Sequence, residues 1–277
     1  MTMTDTHTGR GEAHIDWIKV AGSLVALVAV AAGLYAGLRW LLDNRTRPAP
    51  PPVAVVAPPT VHERAAPGEP APAPQHRLEE VRTTALPTLA NSDAALLEEI
   101  SRLTIGHGLM QWLQPSQVVR HIVATVDALP RRQVPVQVLP TRPVPGSFMV
   151  ARHGDETVID AKNGERYLPY VRLLASVDPK AAASVYRHFY PLFQQAYREL
   201  GYPTGYFNDR LVEAIDDVLA TPDAPSPLRV EAPSAMWRYV DPDLEALSAG
   251  QKILLRIGQP NAQVVRKWLT AFRASVA

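Results

Sequence analysis

Cysteine is absent from all 277 residues, which removes disulfides, thiolate nucleophiles, sulfur metal ligands and lipidation on sulfur. That absence is compatible with a domain on the periplasmic side of a membrane. No sign of charge dominates either: 28 Lys and Arg stand against 27 Asp and Glu, for a formal net charge of +1. With neither a basic run nor a recognised binding motif, nucleic acid is excluded as a partner class. Catalytic signatures are also missing. There is no Gly-x-Ser-x-Gly turn, and the serines at 176, 184, 234 and 248 have no base beside them in sequence. The block containing Gly250, Gln251, Lys252 and Arg256 lacks the full Gly-x-x-x-x-Gly-Lys-Ser/Thr loop. His107, His121, His153 and His188 form no close ligand pair, so no metal and no cofactor is expected.

What the chain does have is a long apolar run. Residues 20–38 carry no charge, and at about 1.5 Å per residue they span roughly 28 Å, close to the hydrocarbon thickness of a bilayer. Lys19 and Arg39 bracket the run, and Trp17 and Trp40 lie where indoles favour the interface. These features predict a single transmembrane helix after a short tail at 1–19, with the lipid bilayer as its partner. Gly33 and Gly37 match the Gly-x-x-x-Gly pattern of weak helix pairing. The rival reading is a signal peptide cleaved near Ala29-Val30-Ala31. The leading segment has only Arg10 and Lys19 as cations beside Asp5, Glu12 and Asp16, and the apolar run continues past that point, which favours an uncleaved anchor.

Residues 48–74 hold ten prolines, so they sustain neither helix nor sheet and read as a polyproline-like spacer with a reach of up to roughly 80 Å. The whole linker is assigned to 39–85 and a single domain to 86–277. Cations near the apolar run number two before it (Arg10, Lys19) and three after it (Arg39, Arg45, Arg47). Large C-terminal domains cross largely regardless of such a bias. The expected placement is the bacterial inner membrane, single-pass, with the domain in the periplasm.

Within the domain, apolar periodicity predicts helices at 93–104, 116–129, 168–176, 178–200, 208–220, 243–257 and 262–275. Asp178 and Pro179 form a helix start, Pro191 is expected to kink its helix, and Gly201 to end it. Short extended runs at 136–139, 148–150, 157–159 and 235–240 suggest a small sheet. The fold class is mainly α with a small β element, α+β.

Eight of the nine tyrosines fall between Tyr167 and Tyr239. Tyr186, Tyr190, Phe193 and Tyr197 recur at helical spacing, which fits either a core face or the floor of a groove. Tyr186, Tyr190, Tyr197, Arg187 and Arg198 are therefore the candidate ligand groove, with Arg210 nearby. His153, Asp155, Glu156 and Asp160 form the densest polar set, around a turn at Gly154.

Residues 190–222 read YPLFQQAYRELGYPTGYFNDRLVEAIDDVLATP, and residues 241–262 read DPDLEALSAGQKILLRIGQPNA. With LPTLANSD at 86–93, TVDALP at 125–130 and RYLPYVRLL at 166–174, these strings resemble the bacterial domain-of-unknown-function family 3014. The resemblance implies an anchor, a proline-rich spacer and a C-terminal domain without assigned activity, and it transfers no catalytic residue. An asparagine-tyrosine pair associated with the family appears here as Asn163-Gly164-Glu165. The expected function is non-catalytic binding or scaffolding of an envelope protein or cell-wall component. The opposing reading is an envelope hydrolase with a fold-assembled site.

Overall fold

Helix α1 (Asp93–Arg102) buries Leu96, Leu97 and Ile100, and its first residue serves a different helix. The Asp93 carboxylate accepts hydrogen bonds from the backbone N–H groups of Gln117 at 2.7 Å and Val118 at 2.8 Å. These donors open helix α2 (Val118–Ala128) and would otherwise lack partners. Gln117, at φ 53°, turns the chain into that helix. Ser92, at the expected start of α1, instead donates its hydroxyl to the Leu89 carbonyl at 2.9 Å.

The computed structural model describes residues 73–78, 86–104, 112–142, 144–233 and 236–277. The apolar run at 20–38 with Gly33 and Gly37, the spacer up to residue 72, and His107 lie outside them. Among the described residues no helix is long and apolar enough to cross a membrane.

Six further helices follow: α3 (Leu168–Ala175), α4 (Pro179–Glu199), α5 (Phe207–Leu219), α6 (Pro242–Ala246), α7 (Ala249–Arg256) and α8 (Gln259–Arg273). Asp178 caps α4 by accepting from the Lys180 N–H at 3.2 Å, with Pro179 in the first turn. Helix α4 continues through Pro191, which sits on its exposed face. Gly201 then ends it at φ +120°. Helices α2, α4, α5 and α8 pack on one another, and Ile122, Tyr186, Phe193, Phe207, Leu211 and Phe272 fill the space between them. Phe193 and Phe207 stack with centroids 5.7 Å apart, and Trp268 stacks on Phe272 at 5.1 Å. An apolar cavity of about 30 Å³ lies between α2, α5, α7 and α8, lined among others by Val126, Leu211, Ile253 and Leu269. A Cβ on Gly250 would meet Val218 Cγ2 at 2.7 Å, so the close approach of α7 to α5 depends on glycine there.

The single helix expected at 243–257 is two. Ser248 takes an extended conformation (φ −61°, ψ 163°) and accepts the Gln251 N–H at 3.1 Å, while the Gln251 side chain accepts the Ser248 N–H at 3.2 Å. This capping box restarts the helix at Ala249. The Ser248 hydroxyl then donates to Asp217 Oδ2 at 2.6 Å.

The β component is an antiparallel hairpin of β1 (Val150–His153) and β2 (Glu156–Ile159), beside a second pair, β3 (Val230–Glu231) and β4 (Arg238–Tyr239). Gly154 supplies the φ of +64° at the first turn. A bridge between Val158 and Arg229, and a bond from the Ile159 N–H to the Leu228 carbonyl at 2.9 Å, join the two pairs. Phe148, Val230 and Tyr239 form a second small apolar cluster beneath them. The strand expected at 136–139 is a turn of 3-10 helix, Val136–Val138. No strand pairs with it; Pro135 and Pro140 flank it, and Thr125 donates its hydroxyl to the Val138 carbonyl at 2.8 Å. The fold is thus mainly helical, with eight α-helices and two small antiparallel sheets among the described residues.

Burial raises the carboxyl pKa of Asp217 above its ordinary value, against the Ser248 hydrogen bond. A carboxyl with a raised folded-state pKa binds its proton more tightly when folded, so the associated stability is present at low pH and is lost as pH rises through the folded value. Asp217→Asn, which keeps an acceptor for Ser248, should therefore be more stable than the native chain at pH 7. The gain should vanish below about pH 4, as read by urea midpoints across pH; a gain that does not depend on pH would contradict the assignment.

Candidate binding surface

The aromatic stripe of α4 faces inward. Tyr186 is 1% exposed, its hydroxyl donates to Asn208 Oδ1 at 3.0 Å, and its ring touches Tyr190, Phe193, Phe207 and Phe272. Half-buried Tyr190 donates to Gln194 Oε1 at 2.9 Å, and buried Tyr197 stacks on Tyr202 with centroids 4.4 Å apart. Burial raises the phenol pKa of all three tyrosines. Arg187 donates to the Ser275 carbonyl at 2.8 Å and to Ser184 Oγ at 3.2 Å, and Arg198 is exposed. The rings that the sequence places on one helical face thus pack against α5 and α8.

Arg210 belongs to a polar hub around Asp127, near the end of α2. Its Nε donates to Asp127 Oδ1 at 3.0 Å and its guanidinium pairs with Glu213 at 2.7 Å. Arg131 and the Tyr202 hydroxyl bind the same carboxylate, which is 5% exposed. Both oxygens of the Asp127 carboxylate are bound within the chain, so the hub locks α2 to α5.

A second polar junction attaches the sheets to the helices. Asn163 is fully buried; it accepts from the Met149 N–H at 3.1 Å and from Arg166 Nη1 at 2.9 Å, and it donates to the Arg256 carbonyl at 3.1 Å. Arg166 extends the junction to the Pro145 and Gly146 carbonyls. Arg256 lies 5.4 Å above the Tyr239 ring and donates to the Trp237 carbonyl at 3.3 Å. Burial raises the Tyr239 phenol to about 12, so this ring stays neutral beside the cation.

Open surface is found above that junction, on both sides of β4. One groove of about 470 Å³ is lined by Asp155, Glu156, Arg229, Glu231, Trp237 and Val240. The other, about 330 Å³, is lined by Arg132, Glu231, Arg238, Tyr239, Pro242 and Glu245. Glu231 and Val240 belong to both. Met236 and Val240 are 39% and 42% exposed, two of only four large apolar side chains so exposed among the described residues. Around them Arg229 pairs with Glu156 and Arg238 with Glu231, each at 2.8 Å and about half exposed. Phe148 supports Trp237 from below, at 6.3 Å between centroids. The polar set expected near Gly154 supplies Asp155 and Glu156 to this surface, while Asp160 caps the following 3-10 turn by accepting from the Lys162 N–H at 2.8 Å.

The model of a family described as Protein of unknown function (DUF3014) matches residues 118–273, more than half of the chain. The chain belongs to that family. No curated protein and no solved structure matches it. In this DUF3014 chain the match takes in both polar junctions and both grooves. It begins at Val118, so the LPTLANSD string at 86–93 lies ahead of it.

At the grooves Glu156 and Glu231 are exposed, and each is paired with an arginine. Ser248 is bound to Asp217 and to the Gln251 backbone, with no imidazole among its partners. Among the described residues no group of three or more His, Asp or Glu could hold a metal ion.

The Asp127 hub has a measurable weight. Asp127→Ala leaves Arg210, only 15% exposed at its side chain, with Glu213 as its remaining carboxylate, and should cost about 2 kcal/mol in urea unfolding, the scale of a lost hydrogen bond between charged groups. A loss below about 1 kcal/mol would mean that the pair behaves as a surface salt bridge.

Proposed function

We propose that this DUF3014 protein is a single-pass inner-membrane protein whose C-terminal domain is a non-catalytic binding module in the periplasm. Its ligand is an envelope protein or a cell-wall component, and the grooves beside β4 are its contact face. One observation carries the reading. Exposed Met236 and Val240 and half-buried Trp237 stand among charge-balanced Arg–Glu pairs. Apolar anchors rimmed by polar groups are the usual anatomy of a recognition site. Balanced charge argues for a ligand that is neither polyanionic nor polycationic. Anchor and spacer support the membrane placement, since residues 20–38 are long enough to span and residues 48–74 hold ten prolines.

Topology is tested by reporter fusions after Ala277. A reporter active only in the periplasm should work in that position, and its cytoplasm-only counterpart should be silent; the reverse pattern would overturn the placement.

Binding is tested with a photo-cross-linking amino acid at position 240 in intact cells. A discrete adduct should form, and combining the cross-linker with Arg238→Glu should lower its yield about tenfold or more, as expected when a recognition surface is broken. Melting should stay within a few degrees, because Arg238 is half exposed. Absence of any adduct, or an adduct indifferent to Arg238→Glu, would count against this face.

A further inference from the structure

The inward end of the proline-rich segment is gripped by the domain. Asp209, in the first turn of α5, accepts two consecutive backbone N–H groups through its carboxylate: Gln75 to Oδ2 at 3.1 Å and His76 to Oδ1 at 2.7 Å. Its neighbour Asn208 donates Nδ2 to the His76 carbonyl at 2.9 Å. Leu78 packs on the main core. The two side chains thus bind both donors and the acceptor of a bent backbone, whose consecutive N–H groups converge on one carboxylate. Charge-assisted bonds of this kind are about twice as strong as neutral ones.

This grip is braced from inside. Asn208 is 1% exposed; its Oδ1 accepts from the Tyr186 hydroxyl at 3.0 Å, and its Nδ2 also donates to the Val276 carbonyl at 2.7 Å. One amide therefore joins α4, the chain's C-terminal turn and the incoming segment. We infer that Asn208 and Asp209 form a backbone-reading latch that fixes residues 75–76, so that the domain is held from residue 75 rather than from residue 86, and from the end opposite its sheets.

Opposite ends follow from α8. At its start, Asn261 donates to the Gly164 carbonyl at 2.9 Å, beside the Asn163 junction that carries the sheets. Beyond its end, Val276 meets Asn208 and, through it, His76. Helix α8 has 15 residues, about 22 Å at 1.5 Å per residue. The spacer enters at one end of this rod and β4 lies at the other. The latch stands on its own geometry and does not depend on what the grooves bind.

Hydrogen–deuterium exchange on the full chain in detergent micelles tests it. The amides of Gln75 and His76 should be protected in the native chain. Asp209→Ala should speed their exchange about tenfold or more, the loss expected for hydrogen bonds to a charged group, while peptides from α2 and α4 keep their native protection. Because Asp209 is partly exposed, this change removes the acceptor without opening the core. Asn208→Ala should release the same amides and also loosen the peptide containing Val276. Native exchange of residues 75–76 at the rate of an unstructured peptide, or an Asp209→Ala pattern identical to native, would overturn the latch.

Discussion

A buried amide must find all its partners inside the protein or cost the fold several kilocalories per mole, and this chain places two such groups where they organise everything else. Asn163 joins the Met149 backbone, Arg166 and the Arg256 carbonyl. Asn208 joins Tyr186, His76 and Val276. Their partners lie up to 132 residues away in sequence, so satisfying them requires the tertiary structure and in turn specifies it. Apolar packing of α2, α4, α5 and α8 supplies most of the driving force. The asparagines determine which segments that packing brings together.

Periodicity in the sequence locates helices well because burial imposes it directly. Residues such as Leu96, Ile122, Val126 and Leu211 sit at helical spacing and are all buried. Local chemistry at Asp178 and Pro179 is readable for the same reason, since the cap and the helix it serves are adjacent. Where the partner is distant, the reading fails. Asp93 caps a helix 25 residues downstream, and Ser248 splits an apparently continuous amphipathic stretch because its cap is completed by Gln251 and its hydroxyl by Asp217. Hydrophobic spacing runs straight through that break and gives no sign of it.

The same limit governs what the surface presents. A stripe at Tyr186, Tyr190 and Tyr197 announces that one face of α4 is special, but spacing alone does not say whether that face meets solvent or another helix. Phe207 and Phe272 come from elsewhere in the chain to cover it. Trp237 and Val240, by contrast, carry no sequence signature. They become notable only because short strands, too small for a strong period-2 pattern, hold them beside Glu231, Arg229 and Arg238. Arg210 shows the converse: an arginine that looks free in sequence has its charge absorbed by Asp127 and Glu213.

Holding a domain by the backbone of its incoming segment has a mechanical consequence that composition alone does not supply. A flexible segment joined to a domain at a single covalent point leaves the domain free to tumble about that point. Two backbone donors and one acceptor held by Asp209 and Asn208 fix the direction in which the chain leaves the surface, over at least the length of residues 75–76. Helix α8 separates this exit from the junction that carries the sheets by about its own length, since Asn261 near its start meets Gly164 and Val276 beyond its end meets Asn208. With the latch and the sheet module at opposite ends of the fold, a change in the hold on residues 75–76 leaves the Asn163 junction and the strands it carries untouched.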